Sequence, residues 1–198
     1  KDAQVDIRMN HDSAEAEADM ALTSFAREQK LSGDVVVVSG DSDVAVLLLL
    51  ACHRKLVDGT LRIYMNRGPH GIFELHRFAQ SLVLTRKVSI PAFFLLCVCA
   101  GNDFVMKRWM SDRVSVKTMT ARLMSEASKF TELKLAPETY RSELEKFLDV
   151  VCPQSKRVDW DKCEQGTGSK SQRVGTDMQV VPWSQIKFSL EYWYVPNV

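Results

Sequence analysis

Apolar positions recur along the chain with two periods that take turns. Val5-Asp6-Ile7-Arg8-Met9 alternates apolar with polar and predicts a short strand. Asn10-His11-Asp12-Ser13 is a turn rich in helix-capping residues. Ala14 to Lys30 then places Ala18, Ala21, Leu22, Phe25 and Ala26 at helical spacing. Ser32-Gly33 stops that helix. Val35 to Val38, four β-branched residues in a row, predict a strand over Asp34 to Ser39 buried on both faces, as in the middle of a parallel sheet. Strand, helix and strand within about 35 residues is the pattern of a right-handed crossover with parallel strands.

Further along, Val44 to Arg54 predicts a buried helix that a turn at Asp58-Gly59 ends. Leu61 to Met65 alternates as a strand expected near a sheet edge. After the turn Gly68-Pro69-His70-Gly71, Ile72 to Leu82 predicts a helix with Phe73, Leu75, Phe78, Ala79 and Leu82 inward. Ile90 to Ala100 is a second apolar helix, with Ser89 and Pro91 marking its start and Gly101-Asn102-Asp103 its end. Helices over Val114 to Ser128 and Pro137 to Val151 follow. Cys152 to Met178 is poor in large apolar residues and reads as a flexible loop. Pro182 to Tyr194, with Trp183, Ile186, Phe188, Leu190, Tyr192 and Trp193, is expected to pack back on the core. The chain thus divides into an α/β unit over 1–110, a helical extension over 111–151, a loop over 152–179 and an aromatic segment over 180–198. No internal repeat is present.

Composition narrows this little. The chain has 198 residues, 45% of them hydrophobic and 26% charged, enough for one domain with a substantial core. Five cysteines, with Cys97 and Cys99 inside an apolar run, point to reduced thiols in an intracellular compartment and not to a disulfide framework. The apolar runs 44–51 and 90–100 are too short to span a bilayer, so no membrane partner is expected. The chain opens with Lys1-Asp2 and is expected to be part of a longer protein.

Charge distribution says more. The formal net charge is +1, but acids outnumber bases by ten to four from Lys1 to Asp43. From Leu84 to Arg122 bases outnumber acids by seven to two. An acidic pole beside a basic stretch suits metal ions next to a polyanion. Asp41 and Asp43 follow the four valines directly, at the carboxyl end of a strand, where open α/β sheets keep their ligands. Either residue also suits the N-terminus of the helix behind it as a cap. Glu17 and Asp19, with Glu15 in support, open the first crossover helix at the same sheet edge, and the helix dipole alone favours acids there. Asp103 sits in the turn after the second apolar helix. Together these carboxylates suit Mg²⁺ or Mn²⁺, hard cations that prefer oxygen ligands. Two such ions about 4 Å apart suit phosphodiester hydrolysis.

Glu17-Ala18-Asp19, then Ser39-Gly40-Asp41-Ser42-Asp43, then Gly101-Asn102-Asp103 resembles the internal region of the flap-endonuclease (XPG-type) family. The stretch Glu17 to Arg27 looks especially like the version in the 5′-nuclease domains of bacterial DNA polymerases. The resemblance covers roughly residues 5 to 105, about half the chain. It implies a PIN-like α/β fold with a central, mainly parallel sheet, and metal-dependent cleavage of DNA or RNA. It makes Glu17, Asp19, Asp41, Asp43 and Asp103 the metal-binding, catalytic acids. An alternative register matches Glu15 and Glu17 instead; the Glu17/Asp19 register places Leu22, Phe25 and Ala26 on the buried face.

Two features depart from the family pattern. Its N-terminal strand with a further Asp, and the basic segment after it, have no counterpart before Val5; either a missing part of the same protein or another chain supplies them, or the chain is a reduced relative with impaired chemistry. The family's glycine-rich helical hairpin is replaced by Phe104 to Met110, without a glycine. For nucleic acid this leaves Lys107, Arg108, Trp109, Arg113 and Lys117, together with Arg86, Lys87 and Arg122. A non-catalytic PIN-like module with a structural or nucleic-acid-binding role in a larger assembly is the second reading. A phosphatase using Asp41 and Asp43 is a third, which leaves Glu17, Asp19 and Asp103 without roles. His53, His70 and His76 read as surface or structural residues.

Overall fold

The computed structural model describes residues 33–54, 62–101, 115–153, 158–159 and 181–194. It is a mixed α/β arrangement in which helices dominate and a small mixed sheet lies at one side. Strand β1 (Asp34–Val38) leads into helix α1 (Ser42–His53), and β2 (Arg62–Asn66) returns parallel to β1 in register Val35 to Ile63 and Val38 to Asn66. The crossover expected from the sequence is an earlier one, Val5 to Ser39, whose first strand and helix lie outside the described residues. A 3₁₀ turn (Gly68–His70) then brings the chain back as β3 (Ile72–Glu74), antiparallel to β2. Next come α2 (Leu75–Gln80), a π-helical turn (Ser81–Thr85) and α3 (Ile90–Ala100). Helix α4 (Val116–Ser125), a 3₁₀ turn (Ala127–Phe130) and α5 (Tyr140–Val151) follow. A two-residue β4 (Val158–Asp159), within the stretch expected to be a loop, pairs with β5 (Val181–Pro182), which leads into α6 (Trp183–Tyr194).

Helices α1 and α3 are apolar on nearly every face, and each is correspondingly buried. Val44 and Val46 to Ala51 of α1 sit against α3, α2 and α6, while Phe94, Leu95 and Val98 of α3 are completely covered. A helix that is apolar all round has no side to give to water. α3 starts where Ser89 Oγ accepts the Ala92 N–H at 3.3 Å, with Pro91 in the first turn, and stops at Gly101, whose φ of 96° favours glycine. α5 is amphipathic and turns Leu144, Phe147 and Leu148 inward; α6 adds Ile186 and Leu190 to the same core. Of the C-terminal segment, Trp183 is the described aromatic residue that packs against this core. Among the described residues no single helix is long and apolar enough to cross a membrane.

Four expectations need correction. β2, expected near an edge, is the middle strand of the described sheet, whose order is β1-β2-β3. β1, expected to be buried on both faces, exposes one of them: Val36 is 57% and Val38 75% accessible, while Val35 and Val37 pack on the core. Four adjacent valines specify extended backbone, but which faces are covered depends on non-local partners. Ile72 to Glu74 is a strand and not the start of a helix. Gly71, at φ 88°, releases the chain from the 3₁₀ turn, and Ile72 and Phe73 then pair with Asn66 and Met65. Phe73 and Leu75 satisfy a period of two as well as a helical one, so the pattern alone was ambiguous. Phe78, expected inward, is exposed.

Candidate functional site

The β1–α1 junction is built by short polar contacts. Ser39 N–H donates to the Asn66 carbonyl at 3.1 Å and extends the parallel pairing one residue past Val38. Ser39 Oγ accepts the Asp41 N–H at 3.1 Å, an ST-type turn that swings the chain off the sheet. Asp41, with extended backbone at φ −79° and ψ 130°, is the N-cap of α1, and its Oδ1 accepts the Asp43 N–H at 2.8 Å. Both carboxylates therefore lie on one turn at the carboxyl end of β1, beside the positive end of the α1 dipole. Asp41 is exposed and Asp43 half-buried.

Asp43 also reaches toward the interior. The Cys97 thiol on α3 is pushed up to about 12, first by burial and then by the Asp43 charge. α1 thus carries one acid that faces solvent and one whose field reaches the neighbouring core helix.

The adjacent strand contributes a residue that the sequence pattern did not single out. Arg67 follows β2 immediately, and its Nη2 donates to the Gly40 carbonyl at 3.2 Å, one residue before Asp41. Its backbone N–H donates to the Gly71 carbonyl at 2.9 Å, and Gly68 N–H donates to Asn66 Oδ1 at 3.0 Å, so the turn bearing Arg67 is held from both sides. Arg67 Nε is buried and makes no hydrogen bond among the described residues. Its place beside Gly40 follows from the parallel register of β1 and β2, which brings the residue after β2 next to the turn after β1.

Of the acids expected to form one cluster, the described residues include Asp41 and Asp43, and they do share a turn. Glu15, Glu17, Asp19 and Asp103 lie outside the described residues, as do Lys107, Arg108, Trp109 and Arg113. Among the described residues no three His, Cys, Asp or Glu side chains come together as a metal-binding group. Lys117, Arg86 and Lys87 are exposed. Arg122, expected to be available for substrate, instead ties α4 to α5: its Nη1 donates to the Val151 carbonyl at 3.0 Å.

An ionised carboxylate has about four lone-pair sites, so the cap bond leaves Asp41 with acceptor capacity toward solvent. Its donor set suits a hard divalent cation that keeps several waters, which takes only one or two protein carboxylates directly. Asp41 and Asp43 are of the donor type such an ion takes. Neither a family model, nor a curated protein, nor a solved structure matches this chain.

Proposed function

We propose that the chain is the PIN-like part of a divalent-metal-dependent nuclease that hydrolyses phosphodiester bonds in DNA or RNA. The observation that carries this reading is the placement of Asp41 and Asp43 on one turn at the carboxyl end of parallel β1. It is the edge where open α/β sheets bind ligands. The resemblance of three acidic motifs to the flap-endonuclease family supports it, and implies an intracellular protein acting on nucleic acid. Asp41 and Asp43 would hold Mg²⁺ or Mn²⁺, completed by Glu17, Asp19 and Asp103 with Glu15 in support. The ion supplies Lewis-acid activation of water and of the scissile phosphoryl group when bound.

The chain's own residues have distinct tasks in this scheme. Asp41, fixed by its bond to the Asp43 N–H, presents its remaining lone pairs outward. Arg67 holds the Gly40 carbonyl and so fixes the approach of the Asp41 turn to the neighbouring strand end. Lys107, Arg108 and Trp109 would meet phosphates and a base next to Asp103, with Arg113 and Lys117 extending that contact.

The test replaces Asp41 and Asp43 singly with Asn in the full-length protein and measures Mg²⁺-dependent cleavage of single-stranded and flap-bearing DNA and RNA. A loss of about 100-fold or more is expected for removing a metal-binding acid. Cleavage at the original rate in either variant refutes the assignment.

One observation favours the second reading, a non-catalytic module of the same fold. Asp41 caps α1 and Arg67 Nη2 binds the Gly40 carbonyl, so both residues have structural tasks. Such a module would bind nucleic acid or a larger assembly without a tight divalent cation, so a Mn²⁺ titration separates the two.

A further inference from the structure

A second, chemically different feature lies away from the strand ends. The helical run Leu75–Thr85 and α3 meet at 104°, and α4 packs across the corner. Between them is a cavity of about 380 Å³ lined by Phe78, Leu82, Phe93, Leu96, Val116 and Met124. Thr120 also lines it, but its hydroxyl donates to the Val116 carbonyl at 2.8 Å within its own helix, and Ser81 and Arg86 are the other polar residues of a mostly apolar wall. The apolar surface continues outside. Leu84 is 65% and Val116 49% accessible, and Val83, Phe78 and Met124 are exposed beside them. An apolar surface that surrounds a concavity and is rimmed by charge marks an interaction site.

Among the described residues, the helices that line the cavity carry one sign of charge. No Asp or Glu occurs from Leu75 to Gly101 or from Val116 to Ser125, whereas Arg77, Arg86, Lys87, Lys117 and Arg122 do. Arg77 pairs with Glu74 and Arg122 is held by the Val151 carbonyl. Arg86, Lys87 and Lys117 remain as the cations of the patch; Arg86 lines the cavity itself and lies 3.9 Å from the sulfur of Met124. The backbone is unusual here as well. Ser81 to Thr85 forms a π-helical turn, and Lys87, not a glycine, adopts φ 58°. Both are features that concentrate at functional sites.

We propose that this corner docks an acidic amphipathic helix from a partner protein. Its apolar residues, at i, i+3 and i+4 spacing, enter the cavity and cover Val83 and Leu84, while its flanking Asp and Glu side chains meet Arg86, Lys87 and Lys117. A small aliphatic anion would fill the cavity but leave Leu84 in water. A bilayer surface offers no knob for a concavity. A helix covers both parts and answers the charge. This site is separate from the Asp41 turn and does not rest on the nuclease reading.

The probe is a fluorescein-labelled peptide of about 18 residues, five helical turns, with Leu along one face and Glu elsewhere. It is titrated against the full chain by fluorescence anisotropy. Saturable binding is expected, at least about tenfold tighter than for a peptide of the same composition with the leucines scattered, a gap of the size one interface anchor provides. V116E and M124E, both at exposed positions, should each weaken binding at least about tenfold. R86E and K117E should weaken it most at low salt, where exposed charges are least screened. Thermal melts by circular dichroism confirm that each variant is folded, and the two pairs are independent should one of them unfold. Asp41→Asn should bind like wild type. Equal binding of the scattered peptide or of one with Lys for Glu overturns the proposal, as do unchanged affinities in the folded variants or no binding at all. Stronger binding of anionic phosphatidylserine vesicles or single-stranded DNA, lost in V116E, overturns it too.

Discussion

Among the described residues, Asp41 and Glu143 both accept backbone N–H groups, and they do so to different ends. Glu143, on the inner face of α5, is buried, with Oε1 accepting the Lys134 N–H at 3.0 Å and Oε2 the Leu135 N–H at 2.8 Å. Leu135 is at φ 49°, so the acid holds a strained reversal before α5 in place. Asp41 is exposed and, among the described residues, accepts the single Asp43 N–H. Glu143 has both oxygens committed to the fold. Asp41 performs a structural task with one of its lone pairs and presents the others at the edge where two parallel strands end. Burial and the number of donors decide how much acceptor capacity such a carboxylate keeps for solvent.

The comparison predicts a graded series of stabilities. Glu143→Ala leaves two buried N–H groups without their acceptor and should cost about 2–4 kcal/mol, measured by urea unfolding. Ser89 is intermediate: besides capping α3 it donates to the Phe130 carbonyl at 2.8 Å. Ser89→Ala should cost about 1–2 kcal/mol. Asp41→Ala should cost about 1 kcal/mol or less, and Asp41→Asn only a few tenths, because Asn caps as well as Asp. If Asp41→Ala proves as costly as Glu143→Ala, the distinction between the two acids fails.

The smallest effect lies on the alkaline side and concerns buried thiols. Burial pushes Cys52 up to about 11, and it does the same to Cys152, where it outweighs the opposing Arg122 charge. Both ordinarily titrate near 9.0. Between pH 9 and 11 the unfolded chain has lost these protons and the native state has kept them, so stability must fall as pH rises through that window. The urea midpoint should drop between about pH 8.5 and about pH 10.5 in wild type, and drop less in Cys52→Ala and Cys152→Ala. A midpoint with the same pH dependence in both variants would show that the thiols are not its source.

Local chemistry was the legible part of the fold. Ser89, Pro91 and Gly101 bracket an unbroken apolar run, and α3 occupies Ile90–Ala100 as those signals require. Helix α1 followed from the cap at Asp41 and the apolar run behind it for the same reason. Strand order was not legible, because β2 becomes central only when Ile72 to Glu74 turns back against it, and that depends on Gly71 more than on periodicity. In the candidate site the position of Asp41 and Asp43 at a strand end could be read from Ser39-Gly40 alone. Arg67 could not, since its approach to Gly40 depends on the parallel register of β1 and β2.

The central claim is that Asp41 and Asp43 hold a divalent cation, and isothermal titration of Mn²⁺ into the full-length protein tests it most directly. Wild type should show a saturable heat that Asp41→Asn and Asp43→Asn each abolish. Glu143→Gln, wherever it remains folded, should keep that heat. No heat with wild type, or the same heat with both Asn variants, would contradict the claim and leave the Asp41 turn as a helix cap.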